Sequence, residues 1–367
     1  MSTNTPPNNS GAGDYAAYLQ AALRAALPAS DAVLRIYGEE NWDVEQKADD
    51  SPLTRADREA HEVIAGVLEA ETPEVPILSE EGAHHPFETR RTWHRLWVVD
   101  PLDGTKEFLS RNGEFTVNVA LVEDGEPVLG VVTVPALDTY YVAFRGGGAY
   151  RASRADLEAV LDAAAADAGT DTAGDAAATG DTAAGKAAAA TSSPAPARVL
   201  SERALRLSAT QAAAAAGAER GPEGPGGGRG SRQAPVRVVA SRSHLNAETE
   251  EFIEELRRRF GEVALVQAGS AVKLCRVAEG EADYYPRLAP TMEWDTAAGD
   301  AVVREAGGRV LRVPEGDRAA AAAGRAADGN APGRATAGNA PTETPLRYNK
   351  EDLHNPYFVA VGRGYTL

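Results

Sequence analysis

Apolar residues recur at helical spacing as soon as the chain leaves its polar start. Tyr18, Leu19, Ala22, Leu23, Ala26, Val33, Leu34 and Ile36 predict a helix from Tyr15 to about Tyr37, interrupted by Pro28. Thr54 to Leu68 is amphipathic, with Ala60, Val63, Ile64, Val67 and Leu68 on one face. Short apolar runs then predict strands at Val75–Leu78 and Leu96–Val99. Phe115 to Glu123 alternates, Asp124-Gly125 is a turn pair, and Pro127 to Pro135 returns, which predicts a β-hairpin. Tyr140–Phe144 and Gly148–Arg151 predict a second one. Further on, strands are expected at Val236–Ala240, Ala264–Gln267 and Ala282–Pro286, with helices at Ala247–Phe260, after Gly269-Ser270, and from Asp295 to Ala306. Gly307-Gly308 supplies a helix C-terminal signal.

Two stretches break this pattern. Residues 153–233 and about 316–343 are dominated by small residues and are expected to be low-complexity, disordered insertions, as are the polar residues 1–13. The remainder divides into an N-terminal half, 14–152, and a C-terminal half, 234–367. The chain has 367 residues, 43% of them hydrophobic, which suits one large or two small domains. Its one cysteine, Cys275, lies in an apolar run, as a buried structural thiol would, and excludes an intramolecular disulfide. No secretory leader and no run of eighteen apolar residues is evident, so a cytoplasmic location is expected, with peripheral attachment at the inner face of the membrane left open. A net charge of −17 argues against a general nucleic-acid binder.

The chemistry is concentrated in Leu96 to Phe108, LWVVDPLDGTKEF. Asp100 and Asp103 stand three apart at the end of an apolar strand and repel unless a cation lies between them. Pro101 and Gly104 fix a turn that can aim both at one point. Hard oxygen ligands suit Mg²⁺ rather than Zn²⁺, and Gly104 lets a phosphate approach the backbone. An Asx turn at a strand end is the plain alternative.

Four other segments accompany it: KADDSPLTRAD (Lys47–Asp57), LSEEG (Leu78–Gly82), GSAVKLCRVAEGEADYYPR (Gly269–Arg287) and EWDTAAGD (Glu293–Asp300). Together the motifs resemble the inositol monophosphatase superfamily, over roughly 15–150, 235–313 and the C-terminal end. Glu107, where inositol phosphatases usually carry Asn, favours the branch of bacterial 3′(2′),5′-bisphosphate nucleotidases. The resemblance implies an α/β (α+β) fold, a layered αβαβα sandwich, and a lithium-sensitive, Mg²⁺-dependent phosphatase using two or three ions. Its substrate would be a small nucleotide bisphosphate, 3′-phosphoadenosine 5′-phosphate or its sulfated precursor, cleaved at the 3′-phosphate by activated water. The enzyme would be a monomer or homodimer.

The same resemblance assigns roles. Glu80, Asp100, the carbonyl of Leu102, Asp103 and Asp295 would hold the metal. Asp57 and Thr105 would orient the attacking water, with Glu80 the third catalytic residue and Glu81 less certain. Gly104, Thr105, His244, Ser270, Lys273, Arg287 and Asp295 would contact substrate, with Lys273 and Arg287 gripping the phosphate that stays. Each has an ordinary alternative: Thr54 to Asp57 reads as a capping box, Asp295 as an N-cap, Glu80-Glu81 as an exposed acidic pair. His84-His85 reads as a solvated loop rather than a zinc site. An inositol or sugar monophosphate phosphatase with the same metal core, and a non-catalytic metal-dependent nucleotide sensor, are the rival functions.

Overall fold

The computed structural model describes residues 15–40, 42, 44–46, 52–171, 195–208, 234–240, 246–313 and 343–367. The chain opens with helix α1 (Ala16–Tyr37), a minor two-stranded sheet of β1 (Glu45–Gln46) and β2 (Pro52–Leu53), and helix α2 (Arg55–Glu71). Strand β3 (Ile77–Ser79), helix α3 (Phe87–Arg90), strand β4 (Arg95–Asp103) and the short helix α4 (Thr105–Leu109) follow. The two hairpins are β5 (Thr116–Glu123) with β6 (Glu126–Val134), and β7 (Thr139–Phe144) with β8 (Gly148–Ala152). Helix α5 (Arg154–Asp171), helix α6 (Ala195–Arg203) and strand β9 (Leu205–Arg206) complete this half. The other half comprises β10 (Val236–Ala240), α7 (Ala247–Phe260), β11 (Val263–Gln267), α8 (Val272–Ala278), β12 (Tyr284–Arg287), α9 (Ala297–Glu305), β13 (Arg309–Arg312) and β14 (Phe358–Val361).

Seven strands form one sheet in the order β3-β4-β5-β6-β7-β8-β9, and five form another in the order β11-β10-β12-β14-β13. Alternation along each strand decides which layer each side chain enters. On β4, Trp97 and Val99 join α1 and α2 in one core, while Leu96 and Val98 enter a second core with α8 and α9. That second core is closed on its far side by Val239, Tyr285, Phe358 and Ala360 of the smaller sheet. Val238, Tyr284, Val359 and Val361, on the opposite face of the smaller sheet, pack with Ile253 and Leu256 of α7. The layers run α-β-α-β-α, as expected. Burial in both sheets explains why β4 and β6 read as continuous apolar runs rather than strict alternation.

Two expectations change. Pro28 does not break α1; it lies on the exposed side, where the carbonyl it leaves unpaired can meet water, while Ser30 two residues on bonds to the Ala26 carbonyl at 2.8 Å. The low-complexity stretch does not begin at 153 as a disordered insertion. Leu157, Val160, Val199 and Leu200, spaced for a helix face, are buried in the first core, and β9 extends the large sheet. Small-residue content over the whole stretch had masked these anchors. Residues 172–194, 209–233 and 314–342, and the first fourteen, lie outside the described residues. Among the described residues, no helix is long and apolar enough to cross a membrane.

Gly130 of β6 lets α9 approach: a Cβ there would sit 2.3 Å from the Ala298 carbonyl oxygen and 2.9 Å from the Ala301 Cβ. Gly130→Ala is therefore expected to cost about 1–3 kcal/mol through overpacking. At Gly66, exposed on α2 with nothing within 4 Å of an added Cβ, the same change should instead stabilise by about 0.5–1 kcal/mol. Urea midpoints of the two variants measure this; equal effects would contradict the packing assigned to α9.

Candidate active site

Residues three apart on a regular strand face opposite ways, so Asp100 and Asp103 should not share a face. A bulge in β4 reverses this. Asp100 pairs with Asn118 and Asp103 with Thr116, so three steps on β4 match two on β5. Both carboxylates thereby turn to the face that meets the C-terminal half. Asp100 is fully buried and accepts the Leu102 N–H at 3.1 Å; Leu102 itself anchors the turn in the first core. Asp103 accepts the Ala271 N–H at 2.6 Å and the Thr116 hydroxyl at 3.4 Å.

Glu80 leaves the end of β3, its N–H bonded to the Val99 carbonyl. Asp295 precedes α9 and accepts the Met292 N–H at 3.0 Å rather than capping the helix. Asp57 sits at the start of α2, where the capping box is present: the Thr54 N–H and hydroxyl donate to its carboxylate at 2.7 and 2.6 Å. No hydrogen bond joins Asp57 to Thr105, which occupies the first position of α4. His84 is exposed and His85 stands edge-on to Trp93.

The carboxylates raise one another's proton affinity. Burial, then Glu80, Asp103 and Asp295, pushes Asp100 well above the usual carboxylate range. Asp295 is pushed up to about 8 by burial and by Asp103 and Glu80, against the pull of the Met292 N–H and Arg287. Asp103 reaches about 6 through burial, with Lys273 pulling it back and Glu107 and Glu80 pushing it up. Asp57 also reaches about 6, again by burial, with its bonds from Thr54 opposing and Glu81 and Glu80 adding. Among the described residues, no three His, Cys, Asp or Glu side chains stand ready-gathered around a single point; Asp100, Asp103 and Asp295 each accept a backbone N–H, and Asp100 also bonds to the Glu80 side chain. The donor set, all hard oxygen and in electrostatic contact, nonetheless fits a hard divalent cation better than any soft one.

Asp103 and Asp295 line a cavity of about 560 Å³. Lys106, Ser270, Lys273, Tyr285 and Arg287 line it with them. Lys273 is nearly buried; its ammonium donates to the Ser270 carbonyl at 2.8 Å and lies over the Tyr285 ring. Arg287 donates to the Pro290 carbonyl at 2.8 Å. His244 lies outside the described residues. Ser270, Lys273, Arg287, Asp103 and Asp295 are thus brought to one pocket, and Glu80 and Asp100 are in electrostatic contact with its carboxylates.

The sequence alone did not reveal how the halves are locked together here. Ser270 adopts a left-handed backbone, φ +43°, and its hydroxyl donates to the Asp103 carbonyl at 2.9 Å. Gly104, φ +86°, leaves room for it: a Cβ at Gly104 would lie 2.0 Å from the Ser270 Oγ. Gly269 is similarly pressed on Glu107, with a hypothetical Cβ 2.7 Å from its Cγ, and its N–H donates to Glu114. The paired glycines were the available signal; their partners lie more than 150 residues away.

A family profile described as "Inositol monophosphatase family" matches residues 14–217 and 221–343. The 3′(2′),5′-bisphosphate nucleotidase CysQ of Escherichia coli (strain K12) is 36% identical over 293 residues, 80% of this chain and 89% of its own. The protein of the same name from Buchnera aphidicola subsp. Acyrthosiphon pisum is 31% identical over 286 residues, 78% of this chain and 80% of its own. Among solved structures, CysQ from Bacteroides thetaiotaomicron, described as a bacterial member of the inositol monophosphatase family, is 38% identical with a TM-score of 0.64, covering 96% and 99% of the two chains. The extragenic suppressor protein suhB from Bartonella henselae, at 24% identity and a TM-score of 0.53 over 81% and 87%, shares the fold.

The raised carboxylates set a stability dependence with a definite sign. Their folded affinities, about 6 for Asp57 and Asp103 and about 8 for Asp295, exceed the ordinary 3.8. Protonation therefore stabilises the fold fully below pH 3.8, and that stabilisation is lost as pH rises through 6 and 8. In chelator, the protein should melt at a higher temperature near pH 5 than near pH 8, and Mg²⁺ should raise the melting temperature more at pH 8. Melting temperatures independent of pH and of Mg²⁺ would contradict the electrostatics described.

Proposed function

The chain belongs to the inositol monophosphatase family, and we propose that it is a Mg²⁺-dependent 3′(2′),5′-bisphosphate nucleotidase that releases the 3′-phosphate of 3′-phosphoadenosine 5′-phosphate. One observation carries this reading. A single cavity is lined both by the carboxylates Asp103 and Asp295 and by the cationic side chains Lys273 and Arg287. A substrate with two phosphates suits such a site: one would be held through divalent cations on the carboxylates, and the other would meet the side-chain cations. The relatives named for this activity, aligned over most of both chains, support it.

Glu80, Asp100, Asp103, Asp295 and the Leu102 carbonyl would hold two or three Mg²⁺ ions. Bound there, Mg²⁺ supplies neutralising charge for the phosphate and makes water a better nucleophile. The chain's own groups do the rest. Thr105, at the start of α4 just after Gly104, would hydrogen-bond the attacking water, and Asp57 would orient that hydroxyl and take charge from it, a contact the present structure does not make. Gly104 keeps side-chain bulk away from the leaving phosphate. Arg287 and Lys273 orient the nucleotide by its 5′-phosphate, and Ser270 holds the turn that carries Asp103. Binding energy from the retained phosphate can then be used at the reacting centre.

Arg287→Ala should lose about 1.5–3 kcal/mol of kcat/KM on 3′-phosphoadenosine 5′-phosphate, the usual loss for a charged hydrogen bond, and far less on inositol 1-phosphate. Lys273→Ala should show the same bias together with an altered Mg²⁺ requirement, because Lys273 also faces Asp103. Equal losses on both substrates would assign these residues to the metal end or to the fold. Faster turnover of inositol 1-phosphate by the unaltered enzyme would support an inositol phosphatase instead, and binding of the nucleotide without turnover would leave a sensor.

A further inference from the structure

Strand β5 lies behind the carboxylates, and two of its residues stand directly across from them. Thr116 faces Asp103 in register and donates its hydroxyl to it. Asn118 faces Asp100 in register, and is 1% exposed. Directly paired residues on antiparallel strands have Cβ atoms about 5 Å apart, so the Asn118 side chain is within reach of the Asp100 carboxylate. Yet both polar ends of the Asn118 amide lack a hydrogen-bond partner. Among the described residues only six buried side-chain atoms are in that condition, and Asn118 alone contributes two of them.

A buried amide with no partner costs stability, and an apolar side chain of the same shape would avoid the cost. The neighbours on the same face bring no compensation: Ala120 along the strand and Val132 across β6 are apolar and buried. The next strand register at this edge shows the use of such a position, since Thr116 supports Asp103 from the same strand. Asp100 is the more buried of the two carboxylates, and its Oδ1 accepts the Leu102 N–H.

We propose that Asn118 is a positioning residue for the cation site: its amide N–H groups donate to the Asp100 carboxylate when that carboxylate holds a divalent cation. The amide fixes which oxygen of Asp100 faces the cation and offsets part of the charge from behind. Hydrogen bonds to metal-binding carboxylates of this kind govern affinity and ligand orientation without touching the metal. The inference rests on the assignment of Asp100 as a metal ligand and extends it to a residue on the neighbouring strand. No local pattern signals this role, because the pairing of 100 with 118 depends on strand register and on the bulge that follows Asp100.

The test is Mn²⁺ binding by the full chain, followed by the electron paramagnetic resonance signal of free Mn²⁺, together with melting temperatures in chelator. Asn118→Leu removes the amide at nearly constant size, and Asn118→Val does so with a strand-favouring side chain in case the first packs badly. The proposal predicts Mn²⁺ affinity weakened by about 10–100-fold in both, with a melting temperature in chelator no lower than that of the unaltered protein. A merely structural role predicts the reverse: a lower melting temperature in chelator with Mn²⁺ affinity unchanged. That result overturns the proposal. Asp100→Asn separates the two levels of the argument. If it loses Mn²⁺ affinity while the Asn118 variants do not, the metal site stands and only the role of Asn118 falls; if it binds Mn²⁺ as the unaltered protein does, both fall.

Discussion

Repulsion among Glu80, Asp100, Asp103 and Asp295 is the force around which the site is arranged. Two like charges about 5 Å apart repel by roughly 3 kcal/mol at an effective dielectric constant near 20. Several such pairs would consume a large part of the 5–15 kcal/mol that usually separates folded from unfolded protein. The fold can carry these residues only by keeping protons on some of them or by placing positive charge among them. The raised proton affinities of Asp100, Asp103 and Asp295 express the first course. Lys273 beside Asp103 and Arg287 beside Asp295 express the second in part, and a divalent cation would complete it.

The scaffold meets this constraint by building the site where the two sheets and the middle helical layer come together. Glu80, Asp100 and Asp103 come from the ends of β3 and β4, while Asp295 precedes α9. Hydrogen bonds crossing from Ser270 and Ala271 to Asp103 hold the two sets in register. A second tie lies further out. Arg90 of α3, itself buried, bonds to the Asn349 side chain and to the Lys350 carbonyl. Asn349 and Lys350 donate their N–H groups to the buried Glu293, two residues before Asp295. The C-terminal segment thereby links the outer helix of one half to the loop carrying the last carboxylate of the other.

Much of the fold was legible in the sequence because its signals are local. Periodicity marks α1, α2 and α7, and the Asp124-Gly125 turn fixes the β5–β6 hairpin. The metal-binding motifs were legible as a set, since each is short and their order is informative. What escaped depends on distance. Leu157, Val160, Val199 and Leu200 find the first core only once α1 is in place, so their stretch looked featureless. The contacts of Gly104 with Ser270 and of Gly269 with Glu107 are set by how the halves meet. Asp57 shows both sides: its capping bond to Thr54 is legible in a four-residue motif, while its expected partnership with Thr105 is not a hydrogen bond in the folded chain.

Crystals soaked in Mn²⁺ and measured at the manganese absorption edge would show where divalent cations bind. If the carboxylates exist to hold divalent cations, anomalous density should appear between Glu80, Asp100, Asp103 and Asp295, with the last three side chains drawn from their backbone N–H partners toward it. Density confined to other surfaces, with these four carboxylates left on their present hydrogen bonds, would contradict it.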